Sequence, residues 1–353
     1  MVVKTAVASF LTCCFISDIS AQYDTNYVRN YNDRLVVSFF QATNSYQLDF
    51  NQNIFKNTII PTTSSYVAQA NNVSGFSFDY DKISFSIGWK SPVNEASIYK
   101  KGKTDYSSFN FAFSGSKYRL ESSYRRYRGF FDQNTPFYDT NYTSSLPYNQ
   151  NPSLVTRSFK VKGFYFFDKN GRFSYSSSYS NTSRQIKTAG TFLLVGNIYS
   201  LLMYSNSAII PSPLQSYYGQ WGGVNYFNLF GISIGPGYTF NKVIRKKIFF
   251  NFTFTLGLEA QHRYYQNDDQ TYSEKDWKVS VAALDSRVAF GFNNKKFFCS
   301  LTSMNDYNSY NLKSMKFEVK YISGIFNVGY RFPLKEYKPI KVMKENKYYK
   351  MFC

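Results

Sequence analysis

The sequence predicts an all-β protein: an antiparallel transmembrane β-barrel of the outer-membrane type, with about 12–14 strands and a short basic C-terminal tail. Three observations lead to this fold class. Apolar and polar residues alternate with a period of two along most of the chain, which is typical of strands with one apolar face. Aromatic residues make up 20% of the 353 residues, and Phe and Tyr favour strands. Charged residues make up only 18%, which argues against long solvated helices.

The first 21 residues indicate a secretory signal peptide, which is excluded from the fold. Lys4 gives the positive start, residues 5–16 form an uncharged and mostly apolar run of 12, and Ala21 offers a small residue for cleavage. That run is too short for a membrane-spanning helix, which needs ~20 residues. A lipoprotein signal acylated at Cys13 is the alternative, although Thr12 is larger than such signals prefer before the cysteine. The sequence therefore predicts export and a mature chain from residue 22.

Between residues 22 and 332 the alternation divides into about 14 runs, consistent with repeated strands and turns. Residues 250–260 are the clearest case, with Phe, Leu and Ala at even positions and Asn, Thr, Gly and Glu at odd positions. Short turns, such as Asn293-Asn294, join several runs, and longer polar connections alternate with them, as in an outer-membrane barrel. The runs lie near residues 33–42, 45–51, 71–80, 82–90, 104–114, 116–128, 154–167, 170–180, 188–203, 226–240, 246–262, 277–292, 295–306 and 315–332.

A soluble β-sandwich is the alternative fold, because its strands also alternate. Two features favour the barrel. The apolar faces of the predicted strands are rich in Phe, Ile and Leu, with Tyr and Trp at their ends, as in an interfacial girdle. The opposite faces carry Ser, Asn, Gly and charged residues. Inside lipid, only a closed sheet pairs every backbone N–H and C=O without helices. Around residues 181–225 the strand count conflicts with a periplasmic C-terminus, so one run there is missed or doubled.

Charged residues on the polar faces are the candidates for a functional site. A Lys or Arg on the lipid face at mid-bilayer costs ~2–4 kcal/mol, so these side chains are expected in the lumen or at the rim. Nine are cationic and three are acidic. This excess indicates an anion-favouring passage or an anionic ligand site; the alternative is an ion-paired network in a closed interior. The predicted lumen-facing residues are Arg119, Glu121, Arg125, Lys160, Lys162, Arg172, Asp285, Arg287, Lys316, Glu318, Lys320 and Arg331.

The sequence predicts no catalytic, cofactor-binding or metal site. His262 is the single histidine, and no nearby serine has the spacing of a Ser–His enzyme. Cys299 and Cys353 lack the spacing of a zinc or redox motif. We therefore expect a passive pore, a binding component or a structural and assembly component, with no cofactor. The alternative is a lipid-modifying outer-membrane enzyme that uses His262.

Four segments carry a resemblance to a known family: YRRYRGFF at 124–131, KTAGTFLL at 187–194, SAIIP at 207–211 and GPGYTF at 235–240. They resemble the strand and turn signatures of Bacteroidota outer-membrane barrels described as domain of unknown function 4421. The likeness runs from about residue 24 to residue 332. It implies a porin-like fold and an outer-membrane location, and it carries no agreed activity and no functional residues.

The net charge of +19 bears on the partners of the protein. An exported membrane chain would not meet nucleic acid, so the expected partners are outer-membrane lipids and lipopolysaccharide. Residues 333–353 carry six Lys and two Glu, and their lysines recur every three residues, which aligns them along an extended polyproline-like chain. We predict a basic periplasmic tail at 333–353, extended or disordered when free, that engages an anionic surface or a protein partner; a solvated appendage is the alternative.

Overall fold

The computed structural model describes residues 23–52, 63–267, 273–311, 315–334, 342 and 344–346. The predicted signal peptide at 1–21 lies outside these residues. The strands are β1 Val28–Asn30, β2 Arg34–Gln52, β3 Ser64–Val67, β4 Asn72–Tyr80, β5 Ile83–Lys90, β6 Asp105–Ser114, β7 Tyr118–Asp132, β8 Asn149–Phe166, β9 Ser183–Gln185, β10 Ala189–Tyr204, β11 Val224–Ile244, β12 Ile248–Asn267, β13 Ser273–Asn293, β14 Phe297–Asn311 and β15 Met315–Pro333. The helices are α1 Glu95–Lys101, α2 Thr135–Tyr138, α3 Ser176–Tyr179 and the 3-10 helix η1 Ser212–Gly223.

Twelve strands form a closed antiparallel ring. Their order around the ring is β2, β4, β5, β6, β7, β8, β10, β11, β12, β13, β14 and β15. The ring closes where β15 pairs with β2 along its whole length, from Met315–Gln52 to Pro333–Arg34. Closure pairs every ring strand on both sides for at least part of its length. The prediction of an outer-membrane-type barrel is confirmed, with a ring of 12 strands.

Two of the predicted runs account for the difference between 14 and 12. The runs at 33–42 and 45–51 are one strand, β2, because the alternation continues between them. The run at 170–180 is not a strand of the ring, since it holds α3 and lies in a connection between β8 and β10. Residues 173–178 are all buried, so the two apparent faces of that run are both covered. The ring has an even number of strands, so it begins and ends on the same side.

The connections distinguish the two ends of the ring. Short turns join β4 to β5, β6 to β7, β11 to β12 and β13 to β14 at the end where β2 begins and β15 stops; we call it the short-turn end. Most of the longer connections lie at the opposite, long-loop end, whereas the long connection between β8 and β10 lies at the short-turn end. One of those at the long-loop end contains α1, which begins at Asn94, whose side chain accepts from Ser97 N at 2.9 Å, and stops at Gly102 with φ 76°, as helix caps require.

The strands present an apolar outer face and a polar inner face. On β12, Phe250, Phe252 and Leu258 point outward and are exposed, whereas Asn251 and Thr253 point inward and are fully buried. A band of exposed apolar side chains around a closed ring is the surface that lipid chains can solvate. No helix in the described part of the chain has the length and apolar character of a membrane-crossing helix.

The wall has a discontinuity between β13 and β14. These strands pair over eight rows, from Ser286–Asn305 to Asn293–Phe298, and among the described residues they pair no further, although each continues toward the long-loop end beside its other neighbour. The next row would place Asp285 opposite Asp306, and directly opposed like charges destabilise a sheet. We call the unpaired stretch beyond Ser286 and Asn305 the seam.

The predicted tail at 333–353 lies mostly outside the described residues. Where it is described, Asn346 N donates to Val342 O at 3.1 Å in a helical turn, so the prediction of an extended chain is wrong for these residues. Lys344 lies over the ring of Tyr80, 5.3 Å from its centroid, and its Nζ donates to Asn32 O at 3.4 Å. This part of the tail therefore packs against the short-turn end.

Candidate functional site

The lumen is occupied at the long-loop end by residues 205–223, which include η1 and which we call the long-loop plug. Tyr218 Oη donates to Phe50 O at 2.6 Å, and Tyr66 Oη donates to Ile209 O at 2.7 Å. Leu214, Ile210 and Trp221 are buried in the same apolar cluster. The apolar side chains of a loop would expose large area to water if the loop were open, so their burial inside the ring holds the plug in place.

The short-turn end is occupied by residues 23–31 and 167–188, the short-turn plug, in which β1 pairs with β9. Asn293 Nδ2 on β13 donates to Ser177 O at 2.9 Å, and Arg331 Nε on β15 donates to Asn181 O at 2.8 Å. Burial raises the pKa of the Tyr179 phenol, so the hydroxyl stays protonated and donates to Asn251 Oδ1 at 2.6 Å. Strand ends and plug thus satisfy each other's polar groups.

A chamber of about 250 Å³ lies in the lumen between the plugs. This volume is many times the ~10–15 Å³ that one water molecule needs. The chamber exists because one side of its wall carries small inward residues on β4, β5 and β6. Those residues are Ser77, Ser84, Ser86, Ser108, Asn110 and Ala112. The opposite side carries the charged side chains.

A network of ion pairs crosses the lumen. Arg287 Nη2 on β13 contacts Glu121 Oε2 at 2.6 Å and Asp285 Oδ2 at 2.8 Å. Arg119 Nε donates to Glu121 Oε1 at 2.6 Å, and Lys162 Nζ donates to Asp285 Oδ2 at 2.5 Å. The side chain of Asp285 is only 2% exposed. Since Glu121 and Lys162 lie on β7 and β8, these contacts tie the two sides of the ring together.

Two further cations stand nearer the long-loop end of the chamber. Lys160 Nζ on β8 donates to Asp306 Oδ2 on β14 at 2.8 Å. Arg125 on β7 lies over the ring of Tyr321 on β15, with its guanidinium carbon 4.0 Å from the ring centroid. Among the described residues, Arg125 forms no ion pair and no hydrogen bond through its side chain. It is therefore a lumen cation whose guanidinium donors are free for a ligand.

Seven of the predicted lumen-facing residues line this chamber: Arg119, Glu121, Arg125, Lys160, Lys162, Asp285 and Arg287. Arg331 on β15 also points inward, but its side chain packs against the short-turn plug. Its guanidinium carbon is 4.6 Å from the centroid of the Tyr31 ring.

The structure places Lys316, Glu318 and Lys320 on the outer face, so the prediction that they face the lumen is wrong. Even positions of β15 point outward, while odd positions such as Phe317 and Tyr321 are buried inside the ring. The three charges are tolerated outside because they lie toward the long-loop end, beyond the exposed apolar residues of the strand. There Lys320 Nζ contacts Glu318 Oε2 at 3.2 Å.

The prediction for Arg172 is also wrong. This residue does not lie on a strand of the ring but in the connection between β8 and β10. Its side chain is 51% exposed, with Nε 4.0 Å from Asp24 Oδ2, and it lies over the Tyr27 ring. The apparent alternation of the 170–180 run, which suggested a strand, caused the error.

Sequence reasoning missed three chamber residues: Asp306, Tyr321 and Asp79. Asp306 continues the inward alternation of Thr302 and Met304 on β14, so the alternation rule was sufficient to find it. Tyr321 follows from the parity of β15 once Arg331 is placed inside. Asp79 lies at the last inward position of the short β4.

His262 lies on the outer face of β12, with its ring centroid 4.9 Å from that of Trp277. Within the described residues, no serine or carboxylate forms a hydrogen bond or ion pair with its ring. The same part of the chain contains no group of three or more His, Cys, Asp and Glu side chains arranged to hold a metal ion.

The family model for "Domain of unknown function (DUF4421)" matches residues 22–332, and curated proteins give no significant match. Among solved structures, the chain is similar to an outer membrane channel from Pseudomonas putida F1, with 10% identity and a TM-score of 0.34 over 88% of this chain and 100% of that chain. It is also similar to the outer membrane protease OmpT from Escherichia coli, with 7% identity, a TM-score of 0.32, and coverage of 86% and 98%. The translocator domain of the autotransporter NalP from Neisseria meningitidis shares 9% identity with a TM-score of 0.34, and coverage of 93% and 97%.

Proposed function

Since the chain belongs to the family described as "Domain of unknown function (DUF4421)", a description without an activity, we propose its function from the chamber. The protein is exported through the secretory pathway to the bacterial outer membrane, where it is a non-enzymatic binding component that holds a small anion in its lumen. Arg125 is the observation that carries this proposal. The other four chamber cations are held by Glu121, Asp285 or Asp306, whereas Arg125 has no carboxylate within ion-pair distance among the described residues.

Physical chemistry supports an anion at Arg125. A charge that is removed from water is costly unless it is paired and hydrogen-bonded. The ring of Tyr321 compensates for only part of this cost, about 0.5–2 kcal/mol for a cation over an aromatic face. The chamber is lined by five basic and four acidic side chains, so basic side chains are in excess. A planar guanidinium matches a carboxylate, sulfate or phosphate group with two parallel hydrogen bonds.

The chamber also reaches the wall of the barrel. Its lining includes Ser286 and Asn305, the row at which pairing between β13 and β14 stops. Within the described residues, the plugs cover both axial routes, and we infer that the ligand enters and leaves at the seam. The polar side chains of this row suit a small hydrophilic solute.

A stability measurement with millimolar sulfate tests the proposal. The full-length protein in detergent micelles is expected to unfold at a higher temperature as sulfate replaces chloride at constant ionic strength, with saturation, because a ligand that binds only the folded state stabilises it. The Arg125→Gln variant should lose the saturable part and keep the general salt effect, while the control Lys295→Gln, at an exposed turn, should behave as the original protein does. Equal saturable shifts for all three proteins would contradict anion binding at Arg125.

An anion-selective pore is the competing function, favoured by the excess of cations among the inward charges. We expect no steady conductance in planar bilayers, because the two plugs fill the lumen and are held by buried hydrogen bonds. A steady anion current that Arg125→Glu reduces would contradict the closed lumen and support the pore.

The non-enzymatic assignment has its own test, because His262 is the basis of the lipid-modifying alternative. A strain with His262→Ala should keep the lipid profile of the parent strain, since no base or nucleophile among the described residues contacts this ring. An identical lipid defect in the His262→Ala strain and in a deletion strain would contradict the assignment.

A further inference from the structure

Two arginines face each other on the outer wall. Arg126 on β7 and Arg157 on β8 are directly opposite in the register of these strands. Both point outward, because their neighbours Arg125 and Ser158 point into the lumen. Like charges that are directly opposite destabilise a sheet. The pair therefore needs a compensating negative charge.

Among the described residues of the wall, no carboxylate lies directly opposite either arginine. The outward residue opposite Arg126 on β6 is Ser107, and the one opposite Arg157 on β10 is Leu202. Among the described residues, neither arginine forms an ion pair. Arg157 Nη2 donates to Tyr204 Oη at 3.0 Å, and this contact fixes its direction while leaving its other donors unused. Two rows further along, Arg128 by contrast has an acidic residue opposite it on β6.

The pair lies at the upper edge of the apolar band. Two rows below the pair, on the same outer face, Tyr124 is opposite Phe159. The side chain of Phe159 is exposed there. Ten residues separate Arg157 from Phe167, the exposed aromatic residue at the other end of this stretch. At about 3.3 Å per residue and a tilt of about 40°, they span about 25 Å, the height of the apolar band of such barrels. The two guanidinium groups are thus at headgroup level on the long-loop side, which corresponds to the outer leaflet because the longer loops of outer-membrane barrels are extracellular.

We propose that Arg126 and Arg157 form a binding site for the phosphate of a phosphorylated lipid in the outer leaflet, the chemistry of lipopolysaccharide. The phosphate lies between the two guanidinium groups and accepts charge-assisted hydrogen bonds from both. The acyl chains run down the wall over Phe159 and Leu202. This inference rests on the proposed outer-membrane location, and it is independent of anion binding at Arg125.

The experiment measures binding of hexa-acylated lipid A bisphosphate to the full-length protein in nanodiscs of uncharged lipid. The double variant Arg126→Gln/Arg157→Gln should bind about a hundredfold more weakly, since it removes at least two charge-assisted hydrogen bonds and each contributes roughly a factor of ten. The control Lys242→Gln removes an exposed outward cation at the short-turn end and should bind as the original protein does. Heat-modifiable gel migration checks that each variant is folded.

Three further measurements distinguish a lipid phosphate from free phosphate, and the outer-wall site from the chamber site. Dephosphorylated lipid A should bind the original protein as weakly as the bisphosphate binds the double variant, and inorganic phosphate at the same concentration should not compete. Competition by inorganic phosphate would overturn the lipid assignment, and equal binding by the original protein and the double variant would overturn the site. The Arg125→Gln variant should retain lipid binding; loss there would contradict the separation of the outer site from the chamber.

Discussion

At the residue scale, adjacent arginines have different surroundings because of strand parity alone. Arg125 points into the chamber and lies over Tyr321, while Arg126 points to the outer wall, directly opposite Arg157. The same rule separates Lys320, which is outside, from Tyr321, which is inside. Since successive side chains of a strand point to opposite faces, an error of one position exchanges a lumen residue for a surface residue.

The ion pairs of the chamber predict the effect of a single substitution. Arg287→Met leaves Glu121 and Asp285 with fewer compensating charges in a site where the Asp285 side chain is 2% exposed. Removal of one partner from a buried ion pair typically costs about 3–5 kcal/mol, so the free energy of unfolding in urea should fall by about this amount. The measurement is equilibrium unfolding in detergent micelles.

The matched control for this substitution is Lys295→Met, a cation at an exposed turn that pairs with no carboxylate among the described residues. Little change is expected for it, because surface substitutions away from special features have small effects. A similar loss of stability in both variants would contradict the bracing role of the chamber network.

At the element scale, β7 carries three charged residues of the chamber, and its pairing register with β8 shifts at one glycine. The inward residues Arg119, Glu121 and Arg125 precede a bulge in the pairing with β8 at Gly129. The φ angle of Gly129 is 85°, a conformation that residues with a Cβ rarely adopt. A Cβ at this position would lie 2.2 Å from Lys103 O. The bulge thus determines how β7 leaves the barrel toward the long-loop end.

This geometry predicts that Gly129→Ala destabilises the barrel. A residue forced into such a backbone region costs about 1–3 kcal/mol, and the contact with a backbone oxygen adds to it. Gly163→Ala on β8 is the matched control, because its Cβ would meet no atom within 4 Å. Thermal unfolding of both variants should show a loss for Gly129→Ala alone; equal unfolding temperatures would contradict the strain at the bulge.

At the scale of the whole molecule, closure of the ring and filling of the lumen act together. Every ring strand pairs on both sides for at least part of its length, and both plugs bury polar groups against strand ends. Exposed residues such as Phe192, Leu258 and Phe326 cover the outer wall, where water would solvate them poorly. The folded molecule therefore requires lipid or detergent around it and resists partial opening.

The whole-molecule prediction is that unheated and boiled samples migrate differently in gels containing dodecyl sulfate. The closed ring should survive the detergent until heat breaks it, because every ring strand is paired on both sides for at least part of its length. After cell fractionation, the protein should be found in the outer-membrane fraction and be released only by detergent. A monomer that is soluble without detergent would contradict the membrane-embedded barrel.

The amino-acid sequence by itself determined the class of the fold and most of the charged residues that line the chamber. Alternation with a period of two is a local property of the chain, so it predicted the strands, their apolar outer faces and inward charges such as Arg119, Glu121 and Lys162. The predicted number of strands was too high partly because residues 170–180 were counted as a strand. This segment is buried on both sides inside the lumen, and its sequence alternates as a strand in the wall does.

Only the tertiary structure decided what those charges do. The pairing of Lys160 with Asp306 and of Arg287 with Glu121 depends on which strands lie across the ring from each other, and local patterns contain no information about that distance. The same holds for the plugs, which close the lumen through contacts between segments far apart in sequence, such as Tyr218 with Phe50. Arg125 has no carboxylate within ion-pair distance among the described residues for the same reason. Closure of the barrel, and not its position in the chain, determines which side chains lie near it.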